Sequence, residues 1–168
     1  MPWSEEDFPL LVAGNSEEMT AHLGGPESAE ALAARHRRYL ALDEGGDAGC
    51  RMFRITAAPP GTAHRPAGAI GFWLSEWQGR QVWESGWHVL PDLHGHGIAT
   101  SAARLVAARA QAAGGPRTLH AFPSPTHAAS NGVCRRAGFT LAGEARVEYP
   151  KGTWVACNDW RIDLDADG

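Results

Sequence analysis

Polar and apolar residues alternate from Gln81 to Leu90. Val82, Glu84, Gly86 and His88 fall on one side, and Trp83, Ser85, Trp87 and Val89 on the other, the period-2 pattern of a strand. Two further strands are predicted before it, over Cys50–Ala58 and Ala67–Trp77, with a loop at Pro59–Pro66 and a turn at Gln78-Gly79. Downstream, Ile98, Ala102, Leu105, Val106 and Ala112 recur at helical spacing within Gly97–Ala113, Arg109 falls on the same stripe, and Gly114-Gly115-Pro116 stops the pattern. A short strand at Thr118–Phe122, a helix at Thr126–Ala137 ended by Gly138, and a hairpin of Phe139–Tyr149 and Thr153–Leu164 around Pro150-Lys151-Gly152 complete the chain. The first 25 residues read as irregular to weakly helical, with an apolar cluster at Phe8, Leu10, Leu11 and Val12 and a short helix at Glu17–Leu23. Ser28 is placed to cap a helix to about Leu42, its apolar positions Leu32, Tyr39 and Leu40, followed by a turn at Glu44–Asp47. Strands come in blocks rather than strict alternation with helices, so a single α+β domain over 1–168, with a mixed, mostly antiparallel sheet, is expected.

The junction after the alternating strand carries the chemistry. Pro91-Asp92 closes the strand, Gly95 and Gly97 follow, and a helix begins. Glycine permits close approach of backbone to ligand, and the first amides of a helix lack internal partners and sit at the positive end of its dipole. Strand, glycine turn and helix therefore form an anion cradle. The GxxxxGK[ST] phosphate loop is absent, and the dinucleotide fingerprint lacks its third Gly or Ala at Thr100 and its acid near Leu119-His120-Ala121.

Composition narrows the function without naming it. The chain of 168 residues is 43% hydrophobic and 20% charged, with net charge −4, which argues against a broad nucleic-acid surface. The acidic start MPWSEEDF lacks the features of a signal peptide, and no apolar run approaches the roughly 20 residues of a membrane span. Cys50, Cys134 and Cys157 are odd in number and have no CxxC spacing, so free thiols in the cytoplasm are expected.

Three segments in order resemble the GNAT superfamily of N-acetyltransferases, in particular its ribosomal-protein-alanine-acetyltransferase-like branch. His94-x-x-Gly97-x-Ala99 matches the family's Gln/Arg-x-x-Gly-x-Gly/Ala signature, with His in the first position. Glu84-Ser-Gly-Trp87-His-Val89-Leu-Pro91 looks like its E-x-G-Y-x-V-x-P strand. Ser130-Asn131-Gly-Val133-Cys134-Arg-Arg-Ala-Gly138-Phe139 looks like the end of its second helix. The resemblance implies a GNAT fold with about four flanking helices, whose central strand splays from its neighbour near Val89. It implies a pantetheine arm of acetyl-CoA paired with backbone around Trp87 and Val89. Pyrophosphate would be held by the amides of Gly95, His96, Gly97, Ile98, Ala99 and Thr100, with His94, His127 and Asn131 contributing to the cofactor site. The branch has a strand ahead of its first helix, of which little is visible here.

Acyl transfer to an amine requires removal of a proton from a group with pKa of about 10. Glu84 matches the family's strand glutamate and is the first candidate base, with His88 on the same side as the alternative. A backbone amide near Val89 is the candidate oxyanion donor. Cys134 stands where many relatives place the tyrosine that protonates the leaving thiolate; Ser130, one turn earlier, can supply a hydroxyl instead, and a packing role for Cys134 is the competing reading. The acceptor is a small amine, an amino acid, an antibiotic or a protein N-terminus, met by residues 15–45 and 143–160. A non-catalytic acyl-CoA sensor and a nucleotide-binding fold unrelated to CoA remain as alternatives, and a homodimer is compatible with the tryptophans Trp73, Trp77, Trp83 and Trp87. His94-x-His96 has no third ligand at a recognisable spacing, so no metal, membrane or nucleic-acid partner is expected.

Overall fold

Six strands hydrogen-bond into one sheet in the order β1-β2-β3-β4-β6-β5. They are β1 (Arg51–Ala57), β2 (Arg65–Trp77), β3 (Arg80–Val89), β4 (Thr118–Ala121), β5 (Thr140–Glu148) and β6 (Trp154–Asp163). The structure is a computed structural model and describes residues 1–44, 49–58, 61, 63–148 and 152–165, with the side chains of 43 and 44 left aside. Residues 45–47 of the turn expected at Glu44–Asp47, 150–151 of the one at Pro150–Gly152, and part of the loop Pro59–Pro66 lie outside the described residues. Every neighbouring pair is antiparallel except β3 and β4. Gln78 and Gly79, at φ 50° and 73°, join β2 to β3 through the two left-handed positions that match strand twist in a tight hairpin.

Helices cover both faces. On one side α1 (Phe8–Ala13) and α3 (Ala29–Glu44) enclose Trp3, Leu10, Leu11, Leu32, Met52 and Ala69. On the other, α4 (Ile98–Ala113) and α5 (Ala128–Ala137) pack on Ile70, Phe72, Trp83, Val89 and Leu119. Alternate residues of β2 thus serve different cores, which explains its nearly unbroken run of buried positions. With the one-turn α2 (Glu17–Thr20) there are five α-helices among the described residues, not four, because the apolar cluster at Phe8–Val12 is itself helical. Ser28 caps α3 as expected, accepting from the Ala31 amide at 3.2 Å. Gly138, at φ 99°, ends α5, and the Phe139 amide reaches back to the Cys134 carbonyl.

Two expectations change. The stripe on α4 is rotated: Ala102, Ala103, Val106 and Ala110 are buried, while Leu105 is 70% exposed and Arg109 and Ala112 face solvent. Alanines bring this helix close to the sheet, so a narrow small-residue face wins over the larger Leu105. The first strand is present in miniature. The Trp3 amide bonds the Met52 carbonyl at 2.9 Å and the Arg54 amide bonds the Met1 carbonyl at 2.8 Å, so residues 1–3 cover the free edge of β1.

Candidate functional site

A gap opens in the middle of the sheet. β3 and β4 pair only at Trp83↔Leu119 and Glu84↔His120. The splay therefore begins immediately after Glu84, earlier than the expected position near Val89. β4 stops at Ala121 because Phe122-Pro123 and Pro125 follow, and proline has no amide for a ladder. At the far end of β3 the Leu90 amide bonds the Ala67 carbonyl on the β2 side at 2.8 Å. Alternation then turns the backbone groups of Trp87 and Val89 toward the gap, where no strand receives them. A cleft runs along it, lined by Glu84, Trp87, Val89, Phe122, His127 and Ser130, and reaches the loop before α4.

That loop is open. His94, Gly95, His96 and Gly97 are exposed, Ile98 and Ala99 half-buried, and only Thr100 is buried. Gly97, at φ 73°, is the N-cap of α4, and the first helical bond is the Ser101 amide on the Gly97 carbonyl at 3.0 Å. Outside α4, no acceptor among the described residues engages the amides from Gly95 to Thr100. A Cβ added at Gly95 or Gly97 would meet nothing within 4 Å, so what demands glycine inside the protein is the left-handed backbone, and the space above is free for a ligand. The unengaged amides, the helix terminus and the open volume fit a diphosphate. His94 does more than sequence suggested. Its Nε2 donates to the Val89 carbonyl at 2.7 Å, tying the loop to β3 and leaving the Val89 amide for another partner. His96 does not contribute to the cleft wall.

On the opposite wall, the His127 ring stacks on His22 with centroids 4.3 Å apart. Burial, and then the nearby His22 and His94, hold the His127 imidazole below its ordinary pKa, so it is neutral at pH 7. Ser130 faces the cleft from α5. Asn131 and Cys134 do not, and both expectations are corrected. Asn131 donates to the carbonyls of Ser124 and His127, each at 2.9 Å, while its oxygen accepts from Asn158 Nδ2 at 2.7 Å and Trp160 Nε1 at 2.8 Å. Every polar atom of that side chain is spent, the oxygen tying α5 to β6 and the amide nitrogen tying it to the loop before it. Cys134 has no exposed surface, and burial pushes its thiol up to about 12. It packs the helix against the sheet instead of reaching a leaving group.

Glu84 sits at the foot of the splay, half-buried on the cleft wall. Burial raises its carboxyl pKa; the side chains of Ser75 and Trp73 and the charge of His120 act the other way. His88 is turned toward α1, donating from Nε2 to the Leu10 carbonyl at 3.2 Å, and burial pushes it down to about 4. Sequence reasoning missed a buried pair beside Glu84. His120 Nδ1 donates to Asp159 Oδ1 at 2.7 Å, and Trp77 Nε1 donates to Asp159 Oδ2 at 2.9 Å. The members lie on β2, β4 and β6, so no local pattern announces them; only the strand order brings them together.

Comparison with known proteins agrees with this geometry. Residues 1–140 match the acetyltransferase (GNAT) domain family. No curated protein matches the sequence. Among solved structures, an acetyltransferase from Agrobacterium tumefaciens is similar at 23% identity, over 96% of this chain and 87% of that one, with a TM-score of 0.74. An acetyl transferase from Salmonella typhimurium that modifies the N-terminal serine of a 50S ribosomal subunit protein is 20% identical over 98% of this chain and 94% of its own, with a TM-score of 0.72. The aminoglycoside acetyltransferase AAC(6')-Ib, in complex with coenzyme A, is 17% identical over 97% of this chain and 92% of its own, with a TM-score of 0.70. With the splayed sheet, the glycine cradle and most of the chain matched, the protein belongs to the GNAT acetyltransferase family.

Proposed function

We propose that the protein transfers an acetyl group from acetyl-CoA to a primary amine by direct attack on the thioester, with Glu84 accepting the amine's proton. The observation that carries this reading is the run of unengaged, exposed amides from Gly95 to Thr100 at the end of a cleft whose other end holds Glu84. In this reading the phosphates of the substrate lie on that run, and the arm pairs with the free backbone of Trp87 in the gap. The Val89 amide is the donor for the developing oxyanion. Ser130, which faces the cleft, takes over the protonation of the leaving thiolate.

The acceptor class is a small-molecule amine or a protein N-terminus. The hairpin β5–β6 brings Arg146, Glu148 and Trp154 to the cleft, and α2 and α3 bring Glu18, Arg38 and Tyr39, which supports an acceptor end in the segments the resemblance indicated. Three free, buried cysteines support a cytoplasmic setting, and the exposed Leu141, Trp154 and Val155 on the hairpin support a homodimer. Among the described residues, no helix is long and apolar enough to cross a membrane.

The test is release of free thiol from acetyl-CoA in the presence of aliphatic and aromatic monoamines, kanamycin, and short peptides beginning with Ala, Ser or Met. Amine-dependent thiol release with formation of the acetamide is expected from at least one class. Binding of acetyl-CoA without transfer to any of them would overturn the proposal.

A further inference from the structure

Three aromatic rings gather around Glu84. Trp73 is its register partner on β2, and the Trp73 indole and the Ser75 hydroxyl both hydrogen-bond its carboxyl. A Cβ at Gly86 would meet the Trp73 ring at 3.0 Å, so that ring lies across β3, directly over the glycine. On the other bank stands Phe122. β3 and β4 run parallel, so Gly86 and Phe122, each two residues past the rung Glu84↔His120, are level with each other across the gap. The Phe122 ring lies beside that of His120, centroids 5.8 Å apart, and so keeps to the face that carries Glu84. Trp77 packs against Phe122, centroids 4.6 Å apart. All three rings are half-buried and line the cleft. Their polar edges are already engaged. The Trp73 N–H serves Glu84, the Trp77 N–H donates to Asp159 Oδ2 at 2.9 Å, and Phe122 has none. What the rings turn to the cleft is carbon. A carboxylate has about four acceptor sites, so Ser75 and Trp73 leave room on Glu84 for an amine.

We propose that the acceptor is an arylalkylamine, a primary amine carried one or two carbons from a flat aromatic ring, and that Trp73, Trp77 and Phe122 select it. This deepens, and rests on, the reading of the protein as an acetyltransferase with Glu84 as base. The Trp73 ring and the carboxylate adjoin through one hydrogen bond, so the acceptor's own ring has to follow its nitrogen closely. A ring entering between the banks meets other rings, in the offset or edge-to-face contacts that aromatic pairs favour. The nitrogen arrives as an ammonium, which both the carboxylate and an indole face attract. The ammonium loses one proton to Glu84; the nitrogen then bonds the acetyl carbon, the C–S bond breaks, and the nitrogen's second proton ends on the thiol that leaves. A hydroxyl-rich amino sugar, or the peptide groups behind a protein N-terminus, would surrender hydrogen bonds to water and find no partner on these three rings.

The experiment compares kcat/KM of the full-length protein, at saturating acetyl-CoA, for phenethylamine, butylamine, kanamycin and a short peptide beginning with Ser. Phenethylamine is expected to exceed each of the others by about 100-fold, since even one methylene in an apolar pocket is worth about tenfold or more. In Phe122→Ala the lead of phenethylamine over butylamine is expected to shrink about tenfold. Trp73→Leu also removes a hydrogen bond to Glu84 and so lowers kcat for both amines, but the ratio between them is expected to shrink as well. Equal kcat/KM for phenethylamine and butylamine, a preference for kanamycin or the peptide, or an unchanged ratio in both folded variants would overturn the proposal and leave the acetyltransferase reading standing. Should Phe122→Ala fail to fold, Trp73→Leu on the other bank decides by the same ratio. Absence of thiol release with every amine, while acetyl-CoA still binds, is the other failure: it removes the acetyltransferase reading and this proposal with it.

Discussion

Single atoms decide whether this cleft is catalytic. Glu84→Gln keeps shape and hydrogen-bonding capacity but cannot accept a proton. Loss of a positioned general base costs about 10²- to 10⁴-fold. We expect kcat to fall within that range while the dissociation constant for CoA, measured by calorimetry, changes less than about twofold. Wild-type kcat across the pH range would remove Glu84 from the chemistry. Gly97 tests the other end of the cleft. Its φ of 73° disfavours any Cβ, but the position is open, so Gly97→Ala is expected to fold at a cost of about 1 kcal/mol and to weaken acyl-CoA binding moderately. Gly97→Glu places a carboxylate over the amides and is expected to abolish binding. Undiminished CoA affinity in that variant would mean the phosphates lie elsewhere.

At the scale of elements, what was legible in the sequence was whatever a local period or turn residue encodes. Strand β3, the glycine loop, the Ser28 cap and the Gly138 stop are each written in neighbouring residues and are found where expected. The face of α4 was not, because three buried alanines carry little hydrophobic signal beside an exposed leucine. Nor was the commitment of Asn131, whose partners on β6 lie 27 and 29 residues away. That residue is the pin between α5 and β6. Asn131→Ala leaves the Asn158 amide and the Trp160 indole without their acceptor, and each unsatisfied buried donor costs about 1–3 kcal/mol. A lowering of stability by roughly 3 kcal/mol is expected from urea unfolding, with the CoA affinity of the folded fraction retained. A variant as stable as the parent would show that α5 is held by its apolar face alone. Cys134→Ser would report on that face, and Ser130→Ala on the cleft, although the two are one turn apart.

The whole molecule carries a pH dependence to which one half-buried histidine between sheet and helix contributes most clearly. His88 joins β3 to α1 through the Leu10 carbonyl, and a Cβ at Gly14 would collide with its ring at 2.9 Å, so the imidazole is wedged, half-buried, between helix and sheet. Burial lowers its folded pKa from 6.5 to about 4. The unfolded chain therefore takes up this proton first as pH falls. The contribution is present in full above pH 6.5, is lost progressively between 6.5 and about 4, and is constant below that. A shift of this size corresponds to roughly 3 kcal/mol at most. His127, also lowered, acts in the same direction, whereas Glu84, raised by burial, stabilises the folded state as pH falls and flattens the net curve. A difference measurement separates them. Gln in place of His88 can still donate to the Leu10 carbonyl but does not titrate. Unfolding free energies of the wild type and His88→Gln, measured by urea at half-unit steps from pH 4 to 8, should differ in slope only below about 6.5, with the wild type losing stability faster. Parallel curves through that window would mean that the His88 imidazole is as accessible to water in the folded protein as in the unfolded chain.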